Sequence, residues 1–163
     1  ERVDREGRAK ARAPHRAVMR KTRKKTMGSA IVYRVGDNPV VADMVALRQS
    51  IGWDGAKDDF PAAYAGYFTT VSAYSSCGRL VGWASVVSDG VRHGFFADVI
   101  VHEAYQRRGI GRELVAHAIE HGRSKGLTLF HADFAPENSA FYGACGFNVG
   151  CGAYLDLAGE NGA

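Results

Sequence analysis

Asp98-Val99-Ile100-Val101-His102-Glu103-Ala104-Tyr105-Gln106-Arg107-Arg108-Gly109-Ile110-Gly111-Arg112 is the stretch on which the fold turns. An apolar strand ends at Val101, a polar loop follows, and a helix begins. Behind the loop, Ile110, Leu114, Ala118 and Ile119 recur at helical spacing over 110–125. Arg123 and Lys125 fall in the last turn, and Gly126 supplies the stop. A glycine-containing loop between a strand and a helix N-terminus suits a diphosphate. Successive N–H groups point outward, the helix dipole adds positive potential, and glycine lets an anion approach closely. The same glycines suit a tight turn with close packing, and at this point both readings stand. No glycine precedes Gly109 at the dinucleotide spacing, and no Lys-Ser or Lys-Thr follows as in a Walker loop.

Working outward, the chain of 163 residues is 46% apolar, enough for one domain with its own core. No window nears ~18 apolar residues, which excludes a spanning helix and a membrane partner. Cys77, Cys145 and Cys151 are odd in number and hold no C-x-x-C pair, which argues against a disulfide framework and a Cys-based zinc site. Reduced thiols point to a cytoplasmic protein. No His/Cys/Asp cluster has ligand spacing, so no metal is expected.

The net charge of +4 is unevenly spread. Residues 1–26 carry eleven Lys/Arg against three acids, and residues 27–163 carry ten against fourteen. We read 1–26 as a basic, flexible arm and 27–163 as the domain. Met27 directly precedes the first strand-like run, so the arm is an upstream extension or a leader foreign to the body. The acidic body argues against a nucleic-acid partner except through the arm.

The body alternates strand and helix. Strands are expected at 31–35, 69–75, 80–88, 94–101, 127–133 (short and buried) and 147–157. Helices are expected from Asn38-Pro39 (Asn as N-cap), from Asp58-Asp59-Phe60-Pro61, at 110–125 and at 139–145. The class is α/β, built round a single sheet.

Gln106-Arg107-Arg108-Gly109-Ile110-Gly111, after an apolar strand and before an amphipathic helix, resembles the acetyl-CoA site of the GNAT superfamily of N-acetyltransferases. Asn138-Ser139-Ala140-Phe141-Tyr142-Gly143-Ala144-Cys145-Gly146-Phe147 resembles that family's N-x-x-F-Y-x-x-x-G-F segment, in the right order and with Tyr142 31 residues after Gly111. The resemblance covers roughly 29–157. It implies a mixed, largely antiparallel sheet flanked by helices and splayed between the strands near 94–101 and 127–133.

The resemblance also implies roles. Pantetheine would lie in the splay against the backbone of Val99, Ile100 and Val101. An N–H near Ile100 or Val101 would polarise the thioester carbonyl. The N–H groups from Arg107 to Arg112 would take the pyrophosphate, with Gln106, Gly109, Ile110 and Gly111 in the loop. Arg107, Arg108 and Arg112 would add charge near the 3′-phosphate, or are solvated surface residues. Tyr142 would protonate or hydrogen-bond the departing sulfur, and Asn138 would bond the pantetheine arm or cap the helix.

The family's glutamate on the strand before the loop is absent. Asp98 is the nearest carboxylate, either a base acting through water or a structural aspartate. His131 is a second candidate, and His102 is expected to cap the strand end. The acceptor side should fall in the aromatic region 48–75, with Trp53 and Tyr64, joined by His131, touching the substrate. The implied function is acetyl transfer from acetyl-CoA to a primary amine of a small molecule, by direct attack in a ternary complex and without a metal. Acetylation of protein amines and a non-catalytic acyl-CoA sensor are the alternatives. Assembly as a homodimer stays open.

Overall fold

Two glycine turns and two register shifts set how the strands line up. The structure is a computed structural model describing residues 30–55 and 59–150. Among these residues, β1 (Val32–Val35), β2 (Thr69–Tyr74), β3 (Leu80–Ser88), β4 (His93–Val101) and β5 (Leu129–Ala132) form one sheet in that order. The first four strands run antiparallel, and β5 pairs parallel to β4. Gly78 (φ +80°) turns β2 into β3, and Gly90 (φ +73°) turns β3 into β4. Both need the left-handed backbone that glycine adopts without a Cβ penalty. Asp89 Oδ1 steadies the second turn by accepting from the N–H groups of Val91, Arg92 and His93 at 2.8–3.0 Å.

Helices cover both faces. α3 (Ile110–Ser124) lays Ile110, Leu114, Val115 and Ala118 on Val71, Ala73, Val81, Ala84, Val86 and Phe96. Leu114 is fully buried, so truncating it to Ala would cost about 2–5 kcal/mol. On the opposite face, α1 (Val41–Gln49) and α2 (Phe60–Gly66) pack Met44, Leu47 and Phe60 on Leu80, Trp83 and Ile100. Phe130 of β5 slots against two glycines. A Cβ on Gly122 would meet its Cζ at 2.5 Å, and one on Gly94 would meet its Cε1 at 2.8 Å.

Three expectations shift. α1 starts at Val41 with Val40 as its N-cap, not at Asn38-Pro39, because the preceding loop is tied to β2. Thr70 Oγ1 donates to Asp37 O at 2.9 Å and to Asn38 Oδ1 at 3.4 Å, and Tyr74 O–H donates to Asp37 Oδ2 at 2.6 Å. β5 is shorter than 127–133 and half open, with Leu129 40% exposed, because among the described residues it pairs on one side only. Residues 147–150 form no strand, and the rest of the expected strand 147–157, like the arm 1–26, lies outside the described residues.

Candidate active site

β4 carries one extra residue. Ser85 stands opposite Asp98 and Val86 opposite Phe96, which leaves Ala97 as a bulge. Pairing with β5 stops at the same point, since Phe96–Ala132 is the last matched pair and residues 97–101 run on without β5. The expected splay is therefore a bulge followed by an unzipped edge. His102 N–H donates to Val81 O at 3.0 Å. Backbone groups of successive strand residues face opposite sides, so those of Ile100 point to β3 while those of Val99 and Val101 point into the splay. Of Ile100 and Val101, the backbone donor available there is Val101, with Val99 beside it. Ile100 belongs to the ladder, and its side chain is fully buried in the core.

The loop after β4 is organised by its own side chains. His102 Nδ1 accepts from Ala104 N–H at 3.2 Å, capping the 3-10 turn Glu103–Tyr105, and its Nε2 meets Arg79 Nη2 at 2.7 Å. Burial, then the Arg79 charge, holds the His102 pKa below its ordinary value. Gln106 Nε2 donates to Val101 O at 3.1 Å, and Arg108 Nη2 donates to Ala104 O at 2.7 Å while lying over the Tyr105 ring. Gln106 and Arg108 thus shape the loop, whereas the Arg107 and Arg112 side chains are exposed.

Arg107 adopts φ +62°, rare for a residue with a Cβ, and Gly109 adopts φ +87°. None of the six consecutive backbone N–H groups from Arg107 to Arg112 meets an acceptor among the described residues. The helix ladder begins with Glu113 N–H donating to Gly109 O. Open space surrounds the Cβ position of Gly109. Six open donors, a helix N-terminus and a bare glycine fit a diphosphate. Gly111 serves packing, because a Cβ there would meet Phe141 Cε2 at 3.1 Å. Ile110 contributes only its backbone, its side chain being in the core. A groove of about 310 Å³ continues from Gly109 between α3 and α4 (Ser139–Ala144), lined by Arg112, Val115, Ala116, Ala144 and Cys145.

Tyr142 of α4 is 7% exposed in an aromatic cage. Phe134 stacks on it at 4.4 Å, and Phe141 and Phe147 meet it edge-on at 5.0 and 5.4 Å. Burial, with a smaller contribution from Cys145, pushes its hydroxyl up to about 12, so it holds its proton at neutral pH. Asn138 is exposed and its side chain makes no capping bond. Among the described residues, no group of three or more His, Cys, Asp or Glu is placed to hold a metal ion.

Asp98 lies on the opposite face from α3, its side chain 15% exposed and its Oδ1 3.6 Å from Arg48 Nη1. Burial pushes its carboxyl above the ordinary value, and Arg48 opposes that rise. Tyr67 stands in the same neighbourhood. Its pKa is raised by burial and then by the Asp98 charge, and pulled back by the Ser85 hydroxyl and Arg48. Trp53 is 43% exposed, with the Arg48 guanidinium 5.0 Å from its ring centre. Tyr64 is not gathered with them. Its hydroxyl donates to Pro39 O at 2.8 Å and its ring packs on Phe60 and Trp83, a core role. His131 stacks on Phe95 at 4.5 Å, and its Nε2 lies 3.0 Å from His93 Nδ1. His93 and Phe95 carried no expected role, and Arg48 and Tyr67 were expected only as members of the acceptor-side region 48–75. The one local signal for Arg48 was an acidic residue six positions on, which suggests a loop closed on a cation.

Residues 42–147 match the family model described as the acetyltransferase (GNAT) family. The chain is 30% identical over 107 residues to glucosamine 6-phosphate N-acetyltransferase 1 of Oryza sativa subsp. japonica, covering 60% of this chain and 65% of that one. It is 34% identical over 87 residues to serotonin N-acetyltransferase 2, chloroplastic, of the same organism, covering 53% and 44%. The matched stretches thus span less than two thirds of these relatives. In fold it resembles a GNAT family N-acetyltransferase from Escherichia coli solved in complex with CoA, with a TM-score of 0.63 at 20% identity, over 77% of this chain and 73% of that one. Since the family match runs unbroken from α1 past the end of α4, over more than half of its length, the chain belongs to the acetyltransferase (GNAT) family.

Proposed function

We propose that this protein transfers the acetyl group of acetyl-CoA to a primary amine of a small molecule, by direct attack within a ternary complex. The observation that carries the reading is the row of six open N–H donors at the start of α3, placed directly after an unzipped strand edge. One end suits a diphosphate, and the other suits an amide-bearing arm that pairs like a strand. The likeness to a protein solved with CoA, and to relatives named for a phosphorylated amino sugar and an aromatic amine, supports the same choice.

When bound, acetyl-CoA supplies an acetyl thioester already activated toward amines. The chain supplies the rest. The N–H groups of Val99 and Val101 face the splay and can donate to a carbonyl oxygen seated there. Tyr142 holds its proton far above neutral pH, whereas a thiol ordinarily titrates near ~8.5. Its contribution is therefore a donated hydrogen bond to sulfur more than a complete proton transfer. Asp98, shielded from bulk water and with its carboxyl raised above the ordinary value by burial, takes the amine's proton directly or through water. The acidic balance of residues 27–163 favours cationic amines over anionic acceptors.

The test is thiol release from acetyl-CoA against a panel of amino sugars, arylalkylamines, polyamines, aminoglycosides and basic peptides. Amine-dependent release with a matching N-acetylated small molecule is expected. Binding of acetyl-CoA without release by any amine would leave a sensor, and acetylation of the peptides alone would overturn the acceptor class.

A further inference from the structure

Arg48 sits in the last turn of α1, where a cation ordinarily serves the helix's terminal carbonyls. Here it does something else. Its Nε donates to Asp54 O at 2.8 Å and its Nη2 to Asp54 Oδ1 at 3.0 Å. Its Nη1 lies 3.6 Å from Asp98 Oδ1, and its flat face covers the Trp53 ring. The backbone closes the same ring, since Trp53 N–H donates to Arg48 O and Gly52 turns the chain at φ +80°. The loop 51–55 is thus wrapped round one guanidinium that is itself only 17% exposed. The two carboxylates differ. Asp54 is 82% exposed, where an ion pair contributes little, whereas Asp98 is shielded and a lost partner is felt.

We propose that Arg48 is the positioning residue of the acceptor side, its single guanidinium fastening the loop 51–55 to Asp98 so that loop order and the charge of Asp98 depend on each other. The inference rests on the reading of Asp98 as the base, which the experiment below separates from it. Coupling of this kind is reciprocal. Protonating Asp98 releases one arm of Arg48 and loosens the loop, and removing Arg48 makes Asp98 harder to ionise. The groups facing Asp98 are Arg48 from α1, Tyr67 from the segment before β2 and Ser85 from β3, with Asp54 of the loop on the far side of Arg48. His131 lies on the same sheet face from β5. Of these, Arg48 carries the fixed positive charge. A closed loop would set Trp53 over the amine, and a proton on Asp98 would reopen the site.

The experiment uses the full chain with Arg48→Met, Arg48→Lys and Asp98→Asn, with folding checked by circular dichroism. Two readouts are followed across pH: kcat/KM for the best amine of the panel, and Trp53 emission, with Trp53→Phe giving the Trp83 background. Arg48→Met should move the acid limb of kcat/KM up by roughly half to one pH unit, since an opposite charge beside a carboxyl ordinarily lowers its pKa by about that or more. It should also shift Trp53 emission toward that of free indole. Arg48→Lys keeps the charge but cannot form the fork. The limb should return close to the parent's, while the emission stays shifted. An unmoved limb in Arg48→Met overturns the link to Asp98, and an unmoved emission overturns the link to the loop. If Asp98→Asn keeps the parent's limb, the base assignment falls instead. The emission then decides alone: a parental pH transition that Asp98→Asn abolishes supports the lock, and one that survives overturns it.

Discussion

Replacing Gly109 separates the anion cradle from the fold that carries it. Gly109 sits at φ +87° as the N-cap of α3, with nothing within 4 Å of the Cβ it lacks. Ala there meets no neighbour, so its cost is the left-handed backbone alone, about 1–2 kcal/mol. Asp carries the same strain, but as an N-cap acceptor for the open N–H groups it recovers about 1 kcal/mol. The two variants should therefore differ little in stability, with Asp the better. Their ligand binding should differ in the opposite direction. A carboxylate about 5 Å from each of two phosphate charges, at an effective dielectric between 20 and 80, adds roughly 1–3 kcal/mol of repulsion apiece. It also occupies the donors the diphosphate needs. Gly109→Ala should bind acetyl-CoA within a few-fold of the parent, while Gly109→Asp should lose on the order of a hundredfold. Calorimetric titration of each variant, with its melting temperature recorded with and without ligand, measures both sides. Equal affinity in Gly109→Asp and the parent would refute the cradle. An equal loss in Ala and Asp would show that backbone shape, not the anion site, was being read.

Other outcomes follow from the same geometry. Tyr142→Phe keeps the caged ring, so stability and acetyl-CoA affinity should hardly move, while kcat falls by about tenfold or more; a parental kcat with chemistry rate-limiting would remove the tyrosine from the reaction. Because the folded-state pKa of Asp98 is raised, the stability that the group contributes is present at low pH and lost as pH climbs through that value. Asp98→Asn should accordingly melt above the parent at pH 7 and lose that advantage toward pH 3. A melting difference that does not vary with pH would contradict the assigned shift. Gly122→Ala gains about 1 kcal/mol of helix propensity but sets a methyl 2.5 Å from Phe130 Cζ. Overpacking of that kind costs roughly 1–3 kcal/mol, so the melting temperature should fall.

What was legible in the sequence was what depends on local chemistry. β3 and the start of α3 stand where alternation, helical spacing and the glycines place them, and the glycine loop before α3 was visible because its signal is contiguous. The start of α1 was not, because Asn38 is drawn into bonds with Thr70, a partner 32 residues away. Tyr64 and Trp53 look alike as aromatics near helices, and only the tertiary packing sends one to Pro39 O and the other to the surface. The splay between β4 and β5 was anticipated from family resemblance, whereas the bulge at Ala97 that starts it is a register slip against Ser85 and Val86. Arg48 was expected within the acceptor region, but its tie to Asp98 was not, for a related reason. A lone arginine in a helix's last turn has an adequate local explanation, and its link to Asp98 spans 50 residues and two elements.

A single-turnover experiment with isotope-labelled acetyl-CoA and stoichiometric protein tests the central claim most directly. The protein is mixed with the labelled thioester first without and then with an accepted amine, and the label is traced by mass. The account predicts no label on the chain before the amine is added, at Cys77, Cys145 or Cys151 included. It predicts one thiol released for each acetylated amine afterwards. Label lodged on a cysteine before the amine arrives, and passed on from there, would contradict direct attack at the site built by β4, α3 and Tyr142.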